Sequence, residues 1–142
     1  LQSGELGYPV MDVQATILSA KMDEQFSNEV AFQAAGAEAV QKALKDNMVL
    51  LEPVMKLEVT VPEEYLGAIT ADLNARRAEI RDIFSRGKLR VVEAIVPLAK
   101  MFDYADKVRS LSQGRASSSM ETYSYSPAPN EVLQNMLNPF GF

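Results

Sequence analysis

The sequence predicts an α+β fold in which, after residue 53, four antiparallel strands pack against two helices that share one face of the sheet. Apolar and polar residues alternate over 55–61, as in a strand with one buried face. Apolar residues recur at three- and four-residue steps over 66–73 and 98–111, as in helices that bury one stripe. The predicted order is strand, helix, strand, strand, helix, strand, which is the split βαβ or ferredoxin-like arrangement.

The composition excludes several classes of protein and site. The chain has 142 residues, 47% of them hydrophobic, and a formal net charge of -5. It contains no cysteine and no histidine, which excludes disulfides, zinc fingers, thiol nucleophiles and imidazole bases. Because there is neither an apolar run of about 18 residues nor a signal-peptide pattern, we expect a cytoplasmic protein with no membrane partner.

Residues 1–53 predict a first, partial α/β unit. Met11 to Ile17 alternate with polar residues, as in a half-exposed strand, and a charged loop follows. Ser27 or Asn28 can cap a helix that continues to about Asp46. Met48 to Leu51 is short, apolar and typical of a strand. We place the boundary at Pro53, since proline restrains its predecessor and the charge balance changes beyond it.

Residues 54–126 predict the ferredoxin-like unit. The strand over 55–61 is followed by Pro62, which suits a first helical turn. The apolar stripe of that helix is Leu66, Ile69, Leu73 and Ile80. A second strand over about 81–85 turns at 86–88 and returns as 89–96.

The stretch from Val91 to Arg115 predicts a strand with a definite end and a second helix. Pro97 has no amide hydrogen, so it ends the strand and opens a helix over about 98–112, which Gly114 can close in the left-handed conformation. A last strand follows over about 117–125. Residues 127–142 form a tail that we expect to be largely mobile, with one or two helical turns near Val132.

Basic residues concentrate between residues 76 and 90. Six cations are opposed there by Glu79 and Asp82 alone, a local charge of about +4 that an anionic polymer can use. The candidate phosphate contacts are Arg76, Arg77, Arg86, Lys88 and Arg90.

No motif for nucleotide or catalytic chemistry is visible. There is no GxxxxGKS or GxxxxGKT loop to hold phosphates, and no cofactor or metal motif. The adjacent acids Glu63 and Glu64, like Asp23 and Glu24, are interpreted as helix-dipole or solvent-facing groups rather than as a catalytic pair. We therefore expect this chain to be no enzyme by itself and to act by contact.

The order of residues in the 97–115 stretch is more specific than its periodicity. It resembles the closing signature of elongation factor G and its eukaryotic counterpart. The family usually has glycine before the tyrosine of this signature, whereas Asp103 stands here, so the resemblance implies a divergent paralogue. GYPVMDV at 7–13 and LLEPVMKLEVTVPEEYLGAITADLNARR at 50–77 resemble the penultimate domain and its link into the last one. The matching positions of the signature are Pro97, Leu98, Met101, Phe102, Tyr104, Ala105, Arg109, Ser110, Leu111, Gly114 and Arg115.

The resemblance implies what the residues alone do not. Residues 1–53 would be the second half of the penultimate domain, a unit like the second domain of a small-subunit ribosomal protein, whose tip reaches the decoding centre and displaces transfer RNA and messenger RNA. The last domain would be ferredoxin-like and dock near the large-subunit stalk base and the sarcin-ricin loop. GTP and Mg²⁺ would belong to an amino-terminal domain that is missing here. The missing half-domain would leave the 11–17 strand uncovered, so we expect it to pack on another copy or on a crystal neighbour.

The resemblance also points to a tip loop. Asp23 occupies the place where many members carry histidine, and an acid there should weaken approach to RNA phosphate. Some paralogues serve ribosome recycling with the recycling factor, so recycling stays open beside translocation. A free-standing ferredoxin-like binding module stays open as well. The tip loop consists of Lys21, Met22, Asp23, Glu24, Gln25, Phe26, Ser27 and Asn28.

Overall fold

The computed structural model describes residues 6–138, which form two compact units. One unit is Leu50–Pro129, and the other comprises the described residues before Leu50 and after Pro129. The first five residues of the predicted 1–53 unit and the last four of the predicted tail lie outside the described residues. The elements are α1 (Glu29–Leu44), β1 (Leu51–Pro62), α2 (Glu63–Ala75), β2 (Glu79–Arg86), β3 (Leu89–Pro97), α3 (Tyr104–Leu111), β4 (Ser117–Pro127) and α4 (Asn130–Leu137).

The unit Leu50–Pro129 has the predicted ferredoxin-like fold. Its four strands form one sheet in the order β2-β3-β1-β4, and β1 pairs antiparallel with both β3 and β4. β2 and β3 are joined by the predicted hairpin, in which Arg86 pairs with Leu89 across a two-residue turn. Gly87 has φ +66 in that turn, a conformation that glycine adopts at little cost.

The core lies between the sheet and the helices α2 and α3. Successive side chains of a strand point to opposite faces, so the odd-numbered residues of β1 from Met55 to Val61 all face the helices. The opposite face carries charged side chains, among them Lys56, Glu58 and Glu93. The core on the helix side consists of Met55, Leu57, Val59, Val61, Ile69, Leu73, Val92, Val96, Met101, Tyr104 and Val108.

The predicted boundaries around α2 were partly wrong. β1 begins at Leu51, so Leu51 to Pro53 belong to the sheet, and of the predicted 48–51 strand only Leu51 lies in a strand. α2 ends at Ala75, and Ile80 lies in β2 instead of on the helix stripe. The helix ends because Arg77 takes φ +61, and the amide of Ala78 donates to the carbonyl of Leu73 in a Schellman closure.

The predicted helix over 98–112 is divided in two. Pro97 ends β3 as expected, but a 3₁₀ turn over Leu98–Lys100 precedes α3, which starts only at Tyr104. Both Met101 and Tyr104 enter the core, with 5% and 4% of their surface exposed, and this turn lets each of them reach it. Gln113 and Gly114 then close α3 with positive φ, as predicted for Gly114.

The unit outside Leu50–Pro129 differs from expectation in its strand. Residues 9–23 contain no strand, because a strand needs a ladder partner and alternation alone does not supply one. Met11 and Ile17 are 51% and 88% exposed, and α1 has no buried residue. α1 itself begins as predicted, since the Asn28 side chain accepts a hydrogen bond from the Ala31 amide at 2.9 Å.

The chain end contains the expected short helix. α4 spans Asn130–Leu137, about two turns, with Val132 and Leu133 half-buried. β4 extends to Pro127, which pairs with Leu51, so the tail begins later than predicted. The mobility of the tail stays a prediction.

Candidate functional site

The five predicted phosphate contacts fall into two groups at opposite ends of β2. Arg76 and Arg77 lie between the end of α2 and the start of this strand. Arg86, Lys88 and Arg90 lie at the β2–β3 hairpin. One continuous basic patch is therefore not formed.

Arg76 is held by three elements at once. Its Nε donates to Asp72 Oδ2 at 2.7 Å within α2, and its Nη atoms donate to the two carboxylate oxygens of Asp103 at 2.7 and 3.2 Å. Nη1 also donates to the carbonyl of Lys100, and the guanidinium lies 5.2 Å from the ring centroid of Tyr104. The side chain is 11% exposed, which makes it an internal cross-link and not a free cation.

Three titratable groups around Arg76 have pKa values that depart from their ordinary ones. Hydrogen bonds from the Arg76 guanidinium lower the pKa of the Asp103 carboxyl. The hydrogen bond to Asp103 raises the pKa of Arg76, although burial opposes the shift. Burial raises the pKa of the Tyr104 hydroxyl, which lies in the core without a hydrogen-bond partner among the described residues.

Arg77 is paired with a carboxylate at the start of β1. Its two Nη atoms donate to the oxygens of Glu52 at 2.9 and 3.2 Å, and the Glu52 side chain is 11% exposed. This two-pronged geometry is the strong form of an arginine–carboxylate pair. The pair joins the end of α2 to β1.

The hairpin end is more open. Arg86 pairs with Glu58 at 2.9 Å while its side chain stays 56% exposed, and Arg90 Nε lies 3.5 Å from Glu63. Hydrogen bonding to Glu58 raises the pKa of Arg86. Lys88, at the tip, forms no ion pair with a carboxylate in the described part of the chain.

Counting charges along the sequence missed the partners that come from other elements. Asp72 is four residues from Arg76, but Glu52, Glu58 and Asp103 are separated from their arginines by 25, 28 and 27 residues. Short-range patterning does not reveal such pairs. Within Leu50–Pro129, the cations that form no ion pair with a described carboxylate are Lys56, Lys88, Lys100 and Lys107.

The predicted tip loop is a compact turn ahead of α1. Asp23 Oδ1 accepts from the amides of Gln25 and Phe26 at 2.9 and 3.2 Å, and Ser27 Oγ accepts from the Asp23 amide at 2.7 Å. Met22 and Phe26 project outward, 74% and 70% exposed. Lys21 and Glu24 are exposed too, whereas Asn28 is committed to capping the helix.

The described residues offer no metal centre and no membrane span. Over residues 6–138, no three acidic side chains come together as a metal site would require. None of the helices in that range has the length and apolar character needed to cross a membrane. A groove on the open face of the sheet is lined by Lys56, Glu58, Ser119, Met120 and Glu121.

The chain is similar to a known protein family and to sequences of known proteins. The family model described as "Elongation factor G C-terminus" matches residues 49–136. The chain is 50% identical over 139 residues to an elongation factor G of Fervidobacterium nodosum, covering 96% of this chain and 20% of the relative. It is 51% identical over 132 residues to an elongation factor G of Pseudothermotoga lettingae, covering 92% and 19%.

A solved structure is also similar to this chain in both fold and sequence. A crystal structure of a protein from Thermus thermophilus superposes with a TM-score of 0.81 and 34% identity, over 97% of this chain and 21% of that one. The chain thus spans about a fifth of the relatives it matches. Since the family model covers the whole four-stranded unit, the chain belongs to the elongation factor G C-terminus family.

Proposed function

We propose that this chain is the ribosome-binding C-terminal portion of an elongation factor G-type translational GTPase, promoting translocation of transfer RNA and messenger RNA. The observation that carries the proposal is the family match over residues 49–136, which contains the compact unit Leu50–Pro129. Two relatives near 50% identity, both named elongation factor G, support it. A free-standing ferredoxin-like module unrelated to translation has no comparable support.

In this proposal, nucleotide chemistry belongs to another part of a longer protein. The sequence lacks a phosphate-binding loop, and the relatives are about five times as long as the chain. GTP and Mg²⁺ would be held by that other part. The portion described here would act in the cytoplasm by shape and surface charge, through rRNA, stalk-base proteins, and transfer and messenger RNA at the decoding centre.

The hairpin of β2 and β3 is the better rRNA contact of the two basic groups. Lys88 pairs with no carboxylate of residues 6–138, and the half-exposed Arg86 can exchange Glu58 for a phosphate. Arg90 is tied by a longer contact of 3.5 Å. Arg76 and Arg77 support the surface from within, because their guanidiniums are occupied by carboxylates in and near the core.

A second candidate function is ribosome recycling together with the recycling factor, and Asp23 favours it. Its carboxylate is turned toward the amides of its own loop, so the loop presents Met22 and Phe26 rather than an added cation. Such a tip is less suited to RNA phosphate than a cationic one.

The test of the proposed function is GTP hydrolysis by the intact parent protein. Hydrolysis should be stimulated many-fold by ribosomes, and a parent that hydrolyses no GTP in their presence would end the proposal. Peptide elongation driven by the parent supports translocation. Splitting of post-termination ribosomes without elongation supports recycling instead.

A further inference from the structure

Phe102 is a nearly fully exposed aromatic side chain in the turn before α3. It is 87% exposed, more than any other large hydrophobic residue described in Leu50–Pro129. Its near neighbours in sequence behave oppositely, since Met101 and Tyr104 are 5% and 4% exposed. An exposed phenyl ring forgoes the burial that would otherwise stabilise the fold.

The backbone that carries Phe102 is fixed on both sides. The amide of Met101 donates to the carbonyl of Leu98 at 3.0 Å, and the amide of Tyr104 donates to the carbonyl of Met101 at 3.1 Å. Arg76 ties the same turn to α2 through the carbonyl of Lys100 and the carboxylate of Asp103. Little ordering of the backbone would therefore be needed when the ring meets a partner.

The charges around Phe102 favour an anionic polymer. Lys100 and Lys107 lie two residues before and five residues after it, and neither forms an ion pair with a carboxylate among residues 6–138. The nearest acid in sequence, Asp103, is paired with Arg76, which it shares with Asp72. Asp106 lies 3.6 Å from Arg109, so both nearby acids are paired with cations.

We propose that Phe102 stacks on an unpaired base of ribosomal RNA, while Lys100 and Lys107 contact the phosphates that flank this base. Unpaired bases stack on aromatic side chains, and lysines beside the ring track the backbone. The proposal rests on the proposed ribosome binding and names a contact that charge counting along the sequence did not reveal.

A protein pocket is the less suitable partner for this ring. The cores of protein interfaces are depleted in lysine, and anchor aromatics are surrounded by contacts that exclude water. The exposed side chains nearest to Phe102 in sequence, those of Ala99, Lys100, Asp103 and Ala105, are small or charged and not large and apolar.

The experiment is chemical footprinting of ribosomal RNA together with binding of the full chain to large ribosomal subunits. The variants are Phe102→Leu, which removes stacking, and Phe102→Trp, which retains it. Tyr123→Leu is the control, because Tyr123 is an exposed aromatic on β4, 58% exposed. Thermal unfolding checks that all three keep the fold.

We expect Phe102→Leu to weaken binding about 10-fold or more and to abolish protection of one unpaired base, while Phe102→Trp and Tyr123→Leu stay within about twofold of wild type. Replacing Lys100 and Lys107 with glutamine should lower the slope of log affinity against log salt by about 1 to 2.

Three results separate the inference from the proposed function. If the wild-type chain binds no ribosomal subunit, the proposed function fails first. If it binds and Phe102→Leu binds equally well, only the stacking contact is overturned. If Phe102→Leu weakens binding but leaves every protected base protected, the ring enters a protein pocket and the stacking proposal is wrong.

Discussion

Asp103 shows how one side chain can link two elements of the fold. Its carboxylate takes two hydrogen bonds from Arg76 instead of capping α3. The pair links α2 to the start of α3. A glycine at this position cannot make that link.

The lowered pKa of Asp103 predicts a pH-dependent contribution to stability. A carboxyl whose pKa falls on folding stabilises the folded state above its unfolded pKa of about 3.9, and this contribution is lost as the pH falls through the folded value. Asp103→Asn should therefore be less stable than wild type in urea unfolding at pH 7. The difference should shrink as the pH falls below about 4.

The matched control for this pair is Asp106→Asn. Asp106 is 90% exposed beside Arg109, and exposed pairs contribute little, so its stability should follow that of wild type at each pH. A difference between wild type and Asp103→Asn that stays constant from neutral pH down to about pH 3 would contradict the account of the pair.

The two residues in the left-handed conformation that end α2 and α3 should respond oppositely to replacement by glycine, as measured by the free energy of unfolding. Arg77 has φ +61 and pairs with the buried Glu52, whereas Gln113 has φ +52 and an exposed side chain. Gln113→Gly should raise the free energy of unfolding by up to about 1 kcal/mol, because glycine adopts a positive φ without the steric strain that glutamine has there. Arg77→Gly should lower it by about 1–2 kcal/mol, because Glu52 loses its partner.

Denaturant unfolding of the two variants measures the difference. Combining Arg77→Gly with Glu52→Met should restore most of the loss, since no buried carboxylate is then left unpaired. An Arg77→Gly variant as stable as Gln113→Gly would show that the ion pair contributes nothing.

At the level of elements, sequence patterns correctly predicted the strands and turns that are determined by residues close together in sequence. The β1 alternation, the Pro97 stop and the Gly87 hairpin are each set by neighbours in sequence, and the structure has all three. The 11–17 strand was wrong because alternation does not provide the second strand that a ladder requires. The break before α3 depends on Met101 and Tyr104 both reaching the core, which periodicity does not encode.

The same limit applied to the candidate site. The cations near residues 76–90 were visible in sequence, but their carboxylate partners come from β1, α2 and the turn before α3. Phe102 falls within the apolar repeat predicted over 98–111, and an apolar residue in such a repeat is usually buried. Its exposure follows from the break between the 3₁₀ turn and α3.

The hairpin and α2 give an element-scale prediction with its own control. A methyl group added at Gly87 or Gly67 meets no atom within 4 Å, so only the backbone distinguishes the two sites. Gly87→Ala should lower the free energy of unfolding by about 1 kcal/mol because φ +66 is costly for alanine. Gly67→Ala, within α2, should raise it by about 0.5–1 kcal/mol.

Thermal and urea unfolding of both glycine variants provide the comparison. Equal effects of the same sign at the two positions would mean that the turn conformation does not control the hairpin.

For the whole molecule, the proposed function means that a ferredoxin-like unit docks by surface contacts while nucleotide chemistry lies elsewhere. The two proposed contact regions are the hairpin with Lys88 and the turn with Phe102. Because β3 and α2 run between these ends of the sheet, the two regions are held at a fixed separation. Docking through both would orient the unit on a rigid partner.

The most direct measurement is equilibrium binding of the 142-residue chain to bacterial ribosomes over a salt titration, in competition with a full-length elongation factor G. The account predicts binding at low salt that the full-length factor displaces. Replacing both Arg86 and Lys88 with alanine should lower the salt slope by about 1 to 2. Arg81→Ala, which removes a cation of β2 that pairs with Glu79 at 3.0 Å, should leave the slope unchanged. Absence of binding at the lowest salt, or binding that the full-length factor does not displace, would contradict the account.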